Sequence, residues 1–202
     1  MFAAFAELVP VELTLYTDAL VIRGSVWTRQ RRITDILNHA EDPFLVLEDV
    51  SVDELGPHGA TSTAAFAQVN LDAVLFAVAD VPVEPSPELR TPKQQEPALV
   101  SVPPFKVVGT IHLLPAGNLR EALTELTGRF LPVTDAAFWS DAIAVARTEA
   151  LLVAVNHRRA QILAPHRVVD PWAGLDRPAE VDRPGGDAAA GTPPPAPEQP
   201  GG

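Results

Sequence analysis

Two stretches of the sequence, 86 residues apart, resemble each other. The first is Arg32–Val50, RITDILNHAEDPFLVLEDV, and the second is Asn118–Ala136, NLREALTELTGRFLPVTDA. The same register pairs Leu37 with Leu123, Phe44 with Phe130, Asp49 with Asp135 and Asn70 with Asn156. Gly24 also meets Gly109 if one residue is added in the turn PAGN. This self-similarity predicts a tandem duplication of one small fold.

Hydrophobic periodicity predicts mainly strands. Val11–Tyr16 alternates apolar and polar residues, which is the period of a half-buried strand. Residues 32–40 instead place apolar side chains at i, i+3, i+4 and i+7, which predicts a short helix. Gly24 and Gly109 fall inside predicted strands, where glycine is typical of a bulge or a sharp bend. We therefore predict an α+β, β-rich fold made of two tandem β-β-α-β-β-β units, each a small bent sheet or barrel, related by a pseudo-twofold axis.

Proline content sets the predicted domain boundaries, because the 21 prolines of the chain are clustered. Dense proline gives an extended spacer, and a Pro, Gly and acid-rich tail cannot bury enough apolar surface to offset its ordering entropy. The prediction is an N-terminal arm at residues 1–10, repeat unit 1 at 11–81, a Pro-rich linker at 82–104, repeat unit 2 at 105–169 and a disordered Pro, Gly and acid-rich tail at 170–202. Phe44 and Phe130 are expected to occupy equivalent core sites.

Charge and composition exclude several classes of protein. A net charge of −11 argues against binding to nucleic acid, which needs a basic face to neutralise phosphates. The absence of cysteine excludes disulfides, thiolate metal sites and cysteine nucleophiles. We expect no secretory signal, because no basic leader precedes the apolar N-terminus, and no membrane span, because no apolar run approaches about 18 residues. The expected location is the cytoplasm.

A resemblance to a known family rests on three short motifs. These are Arg32–Asn38, RITDILN, followed by Phe44-Leu45 with Asp49, and then Val69-Asn70. The pattern resembles a bacterial domain family of unknown function, whose members carry an RLSDLLN-like helix, a strand beginning FLPL and a VN turn. The second stretch has FLPV and VN but not the helix signature. The resemblance implies no activity and no cofactor.

Three groups of residues are candidate sites. Arg29, Arg31 and Arg32 precede a predicted helix start, where free backbone N–H groups favour an anion; the alternative is a solvated turn. The matched aspartates and asparagines could meet in one cleft, where paired carboxylates divide acid and base roles; the alternative is that each closes a strand or forms a turn. Trp27, Phe138 and Trp139 form either a ligand or partner surface, or they complete the core or cover the join between the two units. The five histidines show no metal-ligand spacing.

The leading prediction for function is a non-enzymatic protein-interaction or assembly module, with a protein partner or self-association and without cofactor or metal. The absence of any catalytic motif favours it. The alternative is a regulatory domain that binds a small anionic ligand through Arg29, Arg31 and Arg32. A third hypothesis is a hydrolase that uses Asp49 and Asp135.

Overall fold

Ten strands and two short helices make up most of the described chain. A computed structural model describes residues 8–29, 32–40, 43–79, 93–114 and 119–166. The strands are β1 Val9–Tyr16, β2 Leu20–Thr28, β3 Phe44–Glu54, β4 Thr61–Asn70, β5 Phe76–Ala79, β6 Gln94–Val102, β7 Phe105–Leu113, β8 Phe130–Ser140, β9 Val145–Asn156 and β10 Ile162–Pro165. The helices are α1 Ile33–Asn38 and α2 Leu119–Thr124, and His157–Arg159 form a 3₁₀ turn.

All ten strands belong to one antiparallel sheet, in the order β10-β6-β7-β8-β9-β5-β1-β2-β3-β4. The predicted α+β fold of two tandem β-β-α-β-β-β units is therefore wrong, because the described chain is almost all β and its strands share a single sheet. The physical reason lies in β5, which pairs with β1 along one side and with β9 along the other. This short strand makes the backbone hydrogen bonding continuous between the two halves of the chain.

Two clusters of buried apolar side chains pack on the sheet, and neither is confined to one half of the sequence. The cluster that contains Leu13 and Leu47 also includes Phe130 from β8. The cluster that contains Val133 also includes Phe76 from β5. The two halves therefore bury apolar surface together.

The side chain of Asn38, at the end of α1, links the two halves by hydrogen bonds. Its Oδ1 accepts from the backbone N–H groups of Arg129 and Phe130, each at 2.8 Å. Its Nδ2 donates to the carbonyl oxygen of Phe130, also at 2.8 Å. Because α1 buries Ile36 and Leu37 in the cluster that holds Phe130, the helix fixes the position of β8.

Both glycines in strands lie at β-bulges. The register of β2 against β3 shifts around Gly24, and the register of β7 against β8 shifts around Gly109. A Cβ atom on Gly24 would lie 2.8 Å from the carbonyl oxygen of Glu48, and one on Gly109 would lie 2.8 Å from that of Thr134. The backbones approach too closely for a side chain, and each bulge falls where the sequence predicts a bulge or bend.

Some predicted boundaries differ from the structure. Strand β6 occupies residues 94–102, which the sequence assigns to the Pro-rich linker 82–104, and β1 begins at Val9, inside the predicted arm 1–10. The polar residues and Pro97 at the start of β6 hide its alternation of exposed and buried positions. Residues 1–7 of the arm, 82–92 of the linker and the predicted tail lie outside the described residues.

Phe44 and Phe130 do not occupy equivalent core sites, contrary to the prediction. Phe130 is 1% exposed, whereas Phe44 is 40% exposed. Phe130 is buried because it packs in one cluster with the side chains of α1. Phe44 lies at the start of β3 on the face opposite Leu45, which is the buried one of the two.

Candidate protein-interaction surface

The three candidate anion-binding arginines do not form a described site. Arg29 is exposed just after β2, Arg32 is half-buried at the N-cap position of α1, and Arg31 lies outside the described residues. The helix has six residues, and Asp35 in its first turn already places a carboxylate near the free N–H groups. This carboxylate would compete with an incoming anion.

The two matched aspartates have a backbone role in their strands. Asp49 has a φ of 50° and Asp135 a φ of 48°, in the left-handed region that aspartate tolerates better than most residues. Asp49 lies on β3 and Asp135 on β8, five steps apart in the strand order. At about 4.8 Å per step, this is about 24 Å along the sheet. Strand pairing therefore does not bring the two carboxylates together.

The two matched asparagines form turns, as one of the two sequence interpretations expects. Asn70 Oδ1 accepts from the backbone N–H of Asp72 at 2.9 Å, and Asn156 Oδ1 accepts from that of Arg158 at 3.2 Å. Asn156 Nδ2 also donates to the carbonyl oxygen of Val74 at 2.9 Å. With 1% of its surface exposed, Asn156 is a structural residue that fastens β9 to the turn after Asn70.

The three aromatic candidates have different surroundings. Phe138 is buried and packs against the rings of Tyr16 and Phe76. Trp139 is half-buried, and the Arg147 guanidinium lies 4.9 Å from its ring centre in a cation–π contact. Trp27 is 53% exposed. Of these three rings, only Trp27 is a candidate for contact with a partner.

Trp27 belongs to an exposed apolar patch on the outer face of β2, β3 and β4. Its Nε1 donates to Glu48 Oε2 at 2.9 Å, and Glu48 pairs across the strands with Phe66. Phe44, Val46 and Glu48 alternate with buried residues of β3 and so share the outward face. The exposed fractions are 40% for Phe44, 54% for Val46 and 69% for Phe66. We call Trp27, Phe44, Val46, Glu48 and Phe66 the outer patch.

The outer patch adjoins the open edge of the sheet. Strand β4 is the last strand in the order and pairs only with β3 within the described part of the chain. Its ten residues, TSTAAFAQVN, contain no charge, proline or glycine. Nine of the ten are exposed or half-buried, and only Val69 is buried. Native proteins normally protect an edge strand with charges, proline or a bulge, because its free backbone groups can pair with another chain.

The opposite edge of the sheet carries the protection that β4 lacks. Strand β10 has four residues and ends in Pro165, and short strands and proline both block pairing. Strand β9 pairs with β5 through Val153–Val155, and its preceding exposed part carries Arg147 and Glu149. In the 86-residue sequence register, β9 corresponds to β4, and these two charged residues correspond to Thr61 and Thr63. Strand β4 therefore lacks the charges that its counterpart β9 carries.

A polar pair lies on the strands β7 and β8. His112 Nε2 lies 2.8 Å from Thr134 Oγ1. Burial lowers the pKa of His112, Lys93 lowers it further, and Asp135 opposes the shift. No group of three or more His, Asp or Glu side chains is arranged to hold a metal ion within the described ranges. Neither of the two described helices has the length and apolar character needed to cross a bilayer.

Sequence reasoning missed Val46 and Phe66 as functional candidates. The signal was present in the run Phe44–Leu47, where four consecutive apolar residues on one strand require two of them to point away from the core. For Phe66, it was an aromatic residue in a strand without charge. A search of protein-family models, curated proteins and solved structures finds no match to the chain.

Proposed function

We propose that this chain is a non-enzymatic protein-interaction module that binds another protein through the outer patch and the open edge of β4. The observation that carries the proposal is the position of Phe66, an aromatic residue that is 69% exposed at the middle of an uncharged edge strand. Exposed aromatic side chains of this kind dominate the energetics of protein interfaces. An apolar patch beside free backbone groups offers both affinity and a fixed binding geometry.

The exposed surface of Phe66 can contribute to the free energy of binding. A phenylalanine buries about 150–250 Å² when fully covered, so covering the exposed two thirds of Phe66 removes about 100–170 Å² from water. At about 25 cal/mol per Å², this contributes about 2.5–4 kcal/mol before the entropy of association is subtracted. Trp27 and Val46 add to this, because each exposes more than half of its surface.

The backbone of β4 supplies the geometry. In an antiparallel ladder, alternate residues direct their N–H and C=O groups to opposite sides, so about half of the ten residues offer groups to an added strand. Pairing of an extended segment with such an edge is a recurring mode of peptide recognition. The outer patch then contacts the side chains that the added segment presents on the same face.

Site-specific photo-crosslinking tests the proposal. Val46 is replaced by p-benzoylphenylalanine in the full chain, and the protein is irradiated in an extract of its source cells. We expect a discrete crosslinked product that mass spectrometry assigns to one protein, because position 46 lies inside the outer patch.

The matched control replaces Leu151 of β9, which is 66% exposed and lies outside the outer patch. Crosslinking at position 151 should be weak and distributed over many proteins. Equal, non-selective crosslinking at the two positions, or none at position 46, would show that the outer patch is not an interaction surface.

A further inference from the structure

We propose that the chain bound at β4 is a second copy of the same protein, whose β4 pairs antiparallel with the first across a twofold axis beside Phe66. This inference rests on the proposed function and specifies the partner. An antiparallel strand is complementary to itself, so two copies satisfy each other's free backbone groups through the same residues. The contact is isologous and closes at a dimer.

The distribution of charge favours β4 as the place where two copies meet. Each copy has a net charge of −11, so contact through most surfaces brings acidic groups together. Strand β4 has no charged residue. Paired β4 strands place the two copies of β3, which carry Glu48 and Asp49, three strand spacings apart, or about 14 Å. This exceeds the Debye length of about 8 Å at physiological ionic strength.

Two of the acids near the ends of β4 are already paired with arginine. Asp53, opposite Thr61, makes an ion pair with Arg23 and accepts a 2.7 Å hydrogen bond from Thr61 Oγ1. Asp72, two residues beyond Asn70, lies 3.3 Å from Arg129 Nε. When two antiparallel β4 strands pair, each end meets the opposite end of the partner strand. Each of these two acids is therefore compensated within its own copy, whereas Glu54, beside Ala60, accepts a backbone hydrogen bond from Ala60 at 3.4 Å.

The position of the axis follows from Phe66. With the axis beside this residue, the two Phe66 rings face each other and residues 62–70 of the two copies overlap. Aromatic cross-strand pairs are among the stabilising contacts in antiparallel sheets. Each Phe66 ring then covers the Phe66 ring of the other copy. On its other side, each ring is next to Glu48 of its own copy, which is hydrogen-bonded to Trp27.

The size of the contact predicts a reversible dimer. Nine paired residues span about 30 Å, and a strip of this length about 10 Å deep covers about 300 Å² on each copy. This is below the roughly 800 Å² per partner of a standard stable interface, so we expect a weak dimer that forms and dissociates reversibly.

Sedimentation equilibrium of charge-swapped variants tests the inference with the full chain. Wild-type protein should change from the monomer mass of 21.6 kDa to twice that mass as its concentration rises to several hundred micromolar. Phe66→Lys and Phe66→Glu should each raise the dissociation constant at least tenfold, because like charges face each other at the axis. An equimolar mixture of the two should recover the dimer. Leu151→Lys, at a comparably exposed site on β9, should dimerise as the wild type does.

Three results would overturn the inference: a wild-type protein that stays monomeric throughout, a dimer that both Phe66 variants preserve, or a variant mixture that does not associate. Circular dichroism of each variant checks that it is folded, and the two opposite charges guard against an effect of one side chain. A monomeric wild type that still gives a specific crosslink from position 46 to another protein rejects self-pairing and retains the proposed function. A monomer without that crosslink rejects both.

Discussion

Replacement of Asn38 by alanine should destabilise the whole described fold, because this side chain joins the two halves of the sheet. Asn38→Ala removes two hydrogen bonds accepted from the backbone of Arg129 and Phe130 and one donated to Phe130, all at 2.8 Å. At about 1 kcal/mol net for each bond, the expected loss is about 3 kcal/mol. This is a large share of the roughly 5–15 kcal/mol total stability of a typical protein.

Urea denaturation followed by circular dichroism measures this loss. Asn70→Ala is the matched control, because the exposed Asn70 side chain accepts one local bond from Asp72, and its removal should cost about 1 kcal/mol. Both variants should unfold in a single transition, since β5 connects the halves through backbone hydrogen bonds. If Asn38→Ala costs no more than Asn70→Ala, the link through α1 does not stabilise the fold as we infer. Two separate transitions in the wild type would contradict the continuous sheet itself.

Three further predictions concern the core, a bulge and a histidine. Phe130→Ala should cost about 3–5 kcal/mol in urea denaturation, and Phe44→Ala clearly less, because Phe130 is buried and Phe44 is 40% exposed; equal losses would contradict this difference. Gly109→Ala should lower the thermal midpoint, since the overpacking cost of about 1–3 kcal/mol exceeds the gain of about 0.4–1 kcal/mol from a stiffer unfolded chain; an unchanged or higher midpoint would contradict it. Burial lowers the pKa of His112 from its ordinary 6.5, so its contribution to stability is present above pH 6.5 and is lost as the pH falls through the lower folded-state pKa. His112→Gln should therefore reduce the fall in unfolding free energy between pH 7 and pH 5. An unchanged pH dependence of the unfolding free energy would contradict this role of His112.

The sequence predicts local structure well where one residue type determines the backbone. Strand β1 is observed at Val9–Tyr16, which contains the predicted strand Val11–Tyr16. The asparagine Asn70 forms the expected turn, because its short side chain can accept a hydrogen bond from the backbone two residues later. The glycine Gly109 lies at a bulge, because no other residue permits the close backbone approach.

The partners of the strands could not be predicted in the same way. Strand β5 is a run of four residues, and nothing in Phe76–Ala79 indicates that β9, which is distant in sequence, lies beside it. The predicted division into two sheets is wrong at this strand, because β5 joins the halves into one sheet. Asn38 gives no local signal either, because its hydrogen-bond partners lie about 90 residues away. Its counterpart in the 86-residue register is Thr124, which bonds within its own helix.

The candidate surface could be predicted only in part. Trp27 is identifiable from the sequence as a candidate partner contact, but its exposure depends on which face of β2 meets the core. In the apolar run Phe44–Leu47, periodicity alone does not decide which alternate pair is buried. The open edge of β4 depends on the strand order of the whole sheet. Such an edge has no signature in β4 itself beyond the lack of charge.

Hydrogen exchange of the β4 amides tests the central claim most directly. Exchange in residues 61–70 is measured by mass spectrometry for the dilute protein and for the protein bound to the chain that crosslinks at position 46. Because an added strand pairs with the outward amides of β4, we predict that peptides covering 61–70 exchange more slowly in the complex, while those covering 145–152 of β9 do not change. Equal exchange of residues 61–70 in the free and bound states would show that β4 does not pair with another chain.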